Sequence, residues 1–308
     1  MDLSEALRTL GEVNPALLAS ATLVFLCGYP IRALRWRRIL RVQKHLSLRQ
    51  TLVPVFVGYM ANNLLPARAG ELYRAHFLGR RARMSRSGAA ASIVVERAFD
   101  GLMLVSLILL VSVLFPGEGF LSAAAFITGL AFLGLAVGIF LYVLLADSSH
   151  GAVDRAIGLL PGRLERVVGE RLKLFLRGMR GVSTLGGALE VGAYTVVIWA
   201  VEITAYTLAV LAFGVTLPLA GHLLVYTLAA LGTALPSGPA YVGPYQYAFV
   251  LALGVFAISR ETALAVSVGT QIALLGSVTV IGLFLLWREQ LRAGPLPKSD
   301  ESREKTVV

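Results

Sequence analysis

A chain of 308 residues that is 56% hydrophobic and only 15% charged, with a mean hydropathy of +0.74, is not a soluble globular domain, which would carry about 25% charged residues. The formal net charge of +10 raises nucleic acid as a partner, but the arginines fall between apolar spans. That placement argues for membrane loops and against a nucleic-acid surface. The single cysteine, Cys27, excludes an intrachain disulfide and a cysteine-rich metal site; its apolar surroundings suggest a small buried hydrophobe.

The start, MDLSEALRTLGEVN, reads as a short interfacial helix without a cleavable signal peptide, so that a retained first span is the expected targeting signal. That span is 17–34, kinked near Pro30. A second apolar segment, 48–65, is interrupted by GYMANNLLPARAGELYR (58–74), which brings two amides, Pro66, Gly70 and the charges of Arg68, Glu71 and Arg74. A shorter limb of about 69–78 follows. Two long spans, 92–115 and 121–145, are joined by PGEGF, and Gly134 and Gly138 in the latter form a GxxxG that permits close packing. Residues 146–187 place Arg among Leu, Val and Phe at helical spacing. This suits an amphipathic helix on an anionic membrane surface or a solvated helical linker.

The second half opens with the span 188–213, which carries Glu190 and Glu202. Segment 221–235 enters next, PSGPAYVGP breaks it at a Leu-Pro pair, and 245–257 leaves. The span 262–287 is the last, and 291–308 reads as a disordered cytoplasmic tail. Two interrupted apolar segments at corresponding places in two halves point to a transporter-type site.

Charge placement sets the expected topology. Lys and Arg number seven in 32–49, six in 68–86, seven in 147–187 and five in 288–308, and the connections 116–120, 214–220 and 236–244 have none. All four basic stretches share the cytoplasmic face only if each interrupted segment enters and returns on the same side. The expected fold is therefore an all-α polytopic membrane protein of the cytoplasmic (inner) membrane, N-terminus outside and C-terminus cytoplasmic. It has two inverted halves, about 17–145 and 188–287, each with a broken, re-entrant helical hairpin, within one membrane domain over 1–290. Non-helical backbone is not tolerated against lipid, so both tips must be buried or line a wet cavity.

Glu96, Arg97 and Asp100 fall inside the 92–115 span, with Glu96 and Asp100 on one helix face and Arg97 turned away by about 100°. A charge at mid-membrane costs about 2.5–3.5 kcal/mol even on lenient scales, so partners are required. Arg68 and Arg74 are the nearest candidates. The group reads either as a vestibule, in which Arg68 and Arg74 attract an anionic head group and Glu71, Glu96 and Asp100 hold them, or as an ion-pair network bracing the hairpin. Asn62 and Asn63 satisfy broken backbone or touch a ligand, with capping expected of at least one. Glu202, mid-span, is paired with an arginine of the first hairpin or protonated in an apolar site, and a proton-coupling role follows from the second case. From the second break, Pro236, Gly238, Tyr241, Gly243 and Gln246 complete the candidate substrate-binding set. Four scattered histidines, one cysteine and five aspartates supply no recognisable nucleophile–base set or metal cluster, so neither an enzyme nor a cofactor is expected.

GYMANNLLPARAGELYRAHFL followed by VVERAFDGLML, with LPSGPAYVG later, resembles the lysylphosphatidylglycerol synthase transmembrane-region family, flippase-like membrane proteins, over about residues 17–290. The resemblance implies a lipid translocator for a glycerophospholipid or polyprenyl-linked lipid. Because some relatives sit beside glycosyltransferases, the alternative is a non-transporting partner of a glycosyltransferase or lipid-modifying enzyme. Two departures stand out. Many relatives read Pro-Gly-Gly and end on Glu at the second motif, where this chain has Ala240 after Pro239 and Gln246 near the carboxylate position. Only a short polar stretch follows Trp287, so lysyl transfer is not expected.

Overall fold

In the computed structural model, which describes residues 3–116, 184–235 and 237–293 and the isolated position Gly134, all regular structure is helical. Polar residues at the starts of the helices supply oxygens to otherwise unpaired backbone amides. Asn14 accepts from the N–H groups of Ala16 and Leu17 at 3.0 and 3.1 Å. Ser47 and Gln50 form a reciprocal capping box. Ser85 accepts from Gly88 at 3.2 Å and Thr184 from Gly187 at 3.1 Å.

The elements in order are α1 (Leu3–Gly11), α2 (Pro15–Leu40), α3 (Leu48–Leu64), a 3-10 turn (Pro66–Arg68), α4 (Gly70–Ala82), α5 (Arg86–Leu114), α6 (Leu185–Ala212), α7 (Leu219–Ala234), a second 3-10 turn (Pro239–Tyr241), α8 (Pro244–Gly254) and α9 (Arg260–Ala293). Among them α2, α5, α6 and α9 are long and apolar enough to cross a membrane. The 17 residues of α3 rise about 25 Å, short of a hydrocarbon core of about 30 Å; α4, α7 and α8 are shorter still.

Each broken segment folds back on itself. A Cβ placed on Gly58 would lie 2.7 Å from Cβ of Arg74, and one on Gly70 would lie 2.3 Å from the Asn62 nitrogen and the Gly58 oxygen. The pairs 58/74 and 62/70 are symmetric about residue 66, the signature of antiparallel return. In the second segment Gly232 meets Pro244 and Gly221 meets Phe256, again about one centre. The two 3-10 turns touch, and the second also packs on α3.

Contacts between loops sort the helix ends. Lys44 Nζ donates to the Ala82 carbonyl at 2.7 Å and Gln43 Nε2 to that of Gly88 at 3.0 Å, so the first hairpin begins and ends at one end of the bundle. Ion pairs of Arg38 with Glu190 and Arg81 with Glu289 belong to that end as well. At the other end the Asn14 N–H donates to Ala212 at 2.7 Å, and the Phe115 and Phe256 rings meet edge to face at 5.8 Å. The second hairpin starts and finishes there. The basic residues of 37–49 and 80–86 lie at the first end; Arg8 and Arg260 belong to the second.

Two expectations change. The first span does not stop at residue 34 but continues to Leu40, because the arginines of its last turns find carboxylates on neighbouring helices and stay inside the bundle. Cys27 is exposed, not buried: Phe25, Gly28, Tyr29 and Arg32 define the inward face of α2, and residue 27 falls on the opposite side. The 121–145 span with its GxxxG, the linker up to residue 183 and the tail from residue 294 lie outside the described residues.

Gly70→Ala tests the close approach within the first hairpin. Overpacking of this kind costs about 1–3 kcal/mol, so the variant should unfold at a lower temperature in detergent. Gly186→Ala, where an added Cβ meets nothing within 4 Å, should not.

Candidate functional site

Arg35 on α2 is fully buried and organises the charges between helices. Its guanidinium reaches Asp100 at 2.5 and 3.1 Å, Glu96 at 3.0 Å and the Thr195 hydroxyl at 3.0 Å. Glu96, also fully buried, is shared: Arg74 donates to it while stacking 4.2 Å over the Trp36 ring, and Arg97 reaches it at 3.2 Å. Arg97 further pairs with Asp100 at 3.0 Å and approaches Glu71 at 3.6 Å. One helix turn before Arg35, Arg32 pairs with Glu202, whose other oxygen accepts from the Tyr226 hydroxyl at 2.7 Å. Tyr29 and Tyr59 flank Arg32 with ring centroids 5.8 and 5.1 Å from its guanidinium carbon. Buried charges persist when paired and hydrogen-bonded in this way.

In front of this network lies a cavity of about 130 Å³. Its charged walls are Arg32, Arg68, Arg97, Asp100 and Glu202, and its aromatic walls include Tyr29, Tyr59, Trp199, Tyr206, Tyr226 and Tyr241. Both breaks contribute. Arg68, with φ 56°, lies within hydrogen-bonding and electrostatic reach of Tyr241, with φ 61°. Side chains held in the left-handed region cost of order 1–3 kcal/mol each and concentrate at functional sites.

The chain matches the family model described as lysylphosphatidylglycerol synthase TM region over residues 1–282. It belongs to that family. It is 28% identical to the glycosyltransferase AglD of Haloferax volcanii, over 92% of this chain and 50% of that protein, so it spans half the length of that relative. It is 25% identical to a UPF0104 membrane protein of Methanothermobacter thermautotrophicus, over 92% of this chain and 87% of that one. No solved structure matches it. With four helices among the described residues long and apolar enough to cross a membrane, this member of the family is a multi-pass membrane protein.

Six of the residues singled out in the sequence line the cavity: Asn63, Arg68, Arg97, Asp100, Glu202 and Tyr241. Glu71, Glu96 and Arg74 stand behind it as partners. The Arg74–Glu96 pair is as expected, but Glu71 and Asp100 hold Arg97 and not Arg68. Glu202 is paired, but with Arg32 of α2 and not with the first hairpin. Neither asparagine caps a helix: Asn63 donates to the Leu275 carbonyl at 3.1 Å and to Thr279 at 2.9 Å on α9, and Asn62 is buried against Gly70 with its Oδ1 unpartnered among the described residues. Gly238 and Gly243 are exposed and off the cavity wall. Gln246 accepts from the Gly243 N–H at 2.9 Å and donates to Gln271 at 2.6 Å, so it shapes the second break. Pro236 lies outside the described residues.

Arg32 and Arg35 are the residues the sequence reading missed. Their signal was spacing: three apart, followed by Trp36, they share one face of a helix that also buries Phe25 and Tyr29.

Removing one partner of a buried pair leaves a bare charge, which costs about 3–5 kcal/mol. Arg32→Gln and Glu202→Gln should each lower the unfolding midpoint in detergent, and the double variant should recover part of the loss. Equal, additive losses would show that the pair carries no coupling.

Proposed function

We propose that this protein is a lipid translocator of the cytoplasmic membrane, non-enzymatic, moving an anionic phospholipid or polyprenyl-linked lipid between leaflets. On this reading the two hairpins are re-entrant and inverted, the first dipping in from the cytoplasm and the second from outside. The end rich in Lys and Arg faces the cytoplasm. Irregular backbone at both tips then sits where it lines a cavity, the one place at that depth where it is tolerated. The observation that carries the reading is Arg68: it sits on a broken helix, lines the cavity and has no carboxylate partner among the described residues. A head group would take that place while acyl chains stay in lipid, and rocking of the hairpins would open each leaflet in turn.

A second reading is favoured by the relative named a glycosyltransferase, half of whose length this chain matches. There the chain is a non-transporting membrane partner of such an enzyme, and its role survives the loss of Arg68 and Glu71.

Liposomes carrying the purified protein and labelled lipids separate the two. Wild type should move an anionic lipid between leaflets, and Arg68→Ala, which removes a charge-assisted contact worth about 1.5–3 kcal/mol, should slow it roughly tenfold or more. If wild type moves none of a broad lipid panel faster than Arg68→Ala, translocation is refuted.

A further inference from the structure

The charges gathered behind and around the cavity do not cancel. Arg32, Arg35, Arg68, Arg74 and Arg97 face Glu71, Glu96, Asp100 and Glu202, which leaves one positive charge over. The carboxylates are taken by the other four arginines, so the excess resides on Arg68. Arg32, Arg68 and Arg97, which line the cavity, each keep a buried Nε–H without a hydrogen-bond acceptor among the described residues, as do Arg35 and Arg74 behind it, and the Arg32 side chain is only 7% exposed. Leaving such a donor unpaired is costly, more so in a charged group. An anion in the cavity would supply the missing charge and an acceptor for the three arginines that line it.

Shape narrows the anion. Arg32, Arg68 and Arg97 come from α2, the first 3-10 turn and α5, so they approach from three elements. A planar carboxylate is satisfied by the fork of one guanidinium; a phosphate, with oxygens diverging in several directions, suits converging ones.

We infer that the cavity is a phosphate site, in which Arg32, Arg68 and Arg97 bind a phosphate group, free or esterified to a lipid, and recognise a lipid by that group. This rests on the translocation reading for its role but not for its binding chemistry.

Trp199 lines the cavity and serves as a reporter. The protein in detergent is titrated with inorganic phosphate, acetate, a short-chain phosphatidate and the matching diacylglycerol, following tryptophan fluorescence. Phosphate and phosphatidate should give a saturable change that disappears in Trp199→Phe. Acetate and diacylglycerol should bind at least ~10-fold more weakly, and Arg68→Gln should weaken phosphatidate by a similar factor, about 1.4 kcal/mol per tenfold. Arg68→Lys, which keeps the charge but loses the fork, should fall between, and Arg38→Gln, at the far end of α2, should match wild type. A thermal melt confirms that each variant is folded. Phosphatidate binding much tighter than phosphate identifies a lipid head group, and equal binding identifies the free anion; either supports the site. Acetate binding as tightly as phosphate, or a folded Arg68→Gln that binds like wild type, overturns it. Phosphate binding without lipid movement in liposomes would sink translocation alone, and movement indifferent to the phosphate would sink this inference alone.

Discussion

An ionised side chain inside a bilayer must find its counter-charge within the protein, and the arrangement of this molecule follows from that requirement. Glu96 and Arg35 are fully buried, and neither is tolerable without the other and the groups around them. Arg35 ties α2 to α5 through Glu96 and Asp100 and to α6 through Thr195. Arg74 brings α4 to the same carboxylate. The network therefore fixes the position of the first hairpin against the long helices, and with it the position of Arg68.

Against that rigid base the two breaks are free to differ. Their backbone departs from the helical region at Arg68, Ala240 and Tyr241, all with positive φ, and the turns meet beside the cavity. Bracing comes from outside each hairpin: Asn63 bonds to α9, and Gln271 of α9 donates to the Ala240 carbonyl while accepting from Gln246. One long helix thus holds both tips. A displacement of α9 would be felt at both breaks together.

Much of this was legible in the amino-acid sequence because the signals were local. Pro66 and the charges beside it stand out in an apolar run, as do Glu96, Asp100 and Glu202, for which lipid is no solvent. The partners were harder to read. Arg32 and Arg35 look like the basic flank that ends an ordinary membrane helix, and hydropathy alone does not separate a flank from an interior face. The aromatic wall was equally hidden, since Tyr29, Tyr59, Tyr206 and Tyr226 come from α2, α3, α6 and α7 and converge only in three dimensions. A helix that ends nearby makes capping the expected job of at least one of Asn62 and Asn63, whereas the partners of Asn63 lie more than 200 positions further along the chain. The exposure of Cys27 is hidden for a related reason: an apolar span says that a residue is in the membrane, not which side of the helix faces protein.

Opposed re-entrant hairpins are tested most directly by labelling from each side of sealed vesicles. In a Cys27→Ser background, single cysteines replace His45 and Arg83, which flank the first hairpin, and Thr216 and Arg260, which flank the second. A membrane-impermeant thiol reagent should reach His45→Cys and Arg83→Cys from the cytoplasmic side only, and Thr216→Cys and Arg260→Cys from the outer side only. Labelling of the two residues that flank one hairpin from opposite sides would show a full crossing and contradict the arrangement.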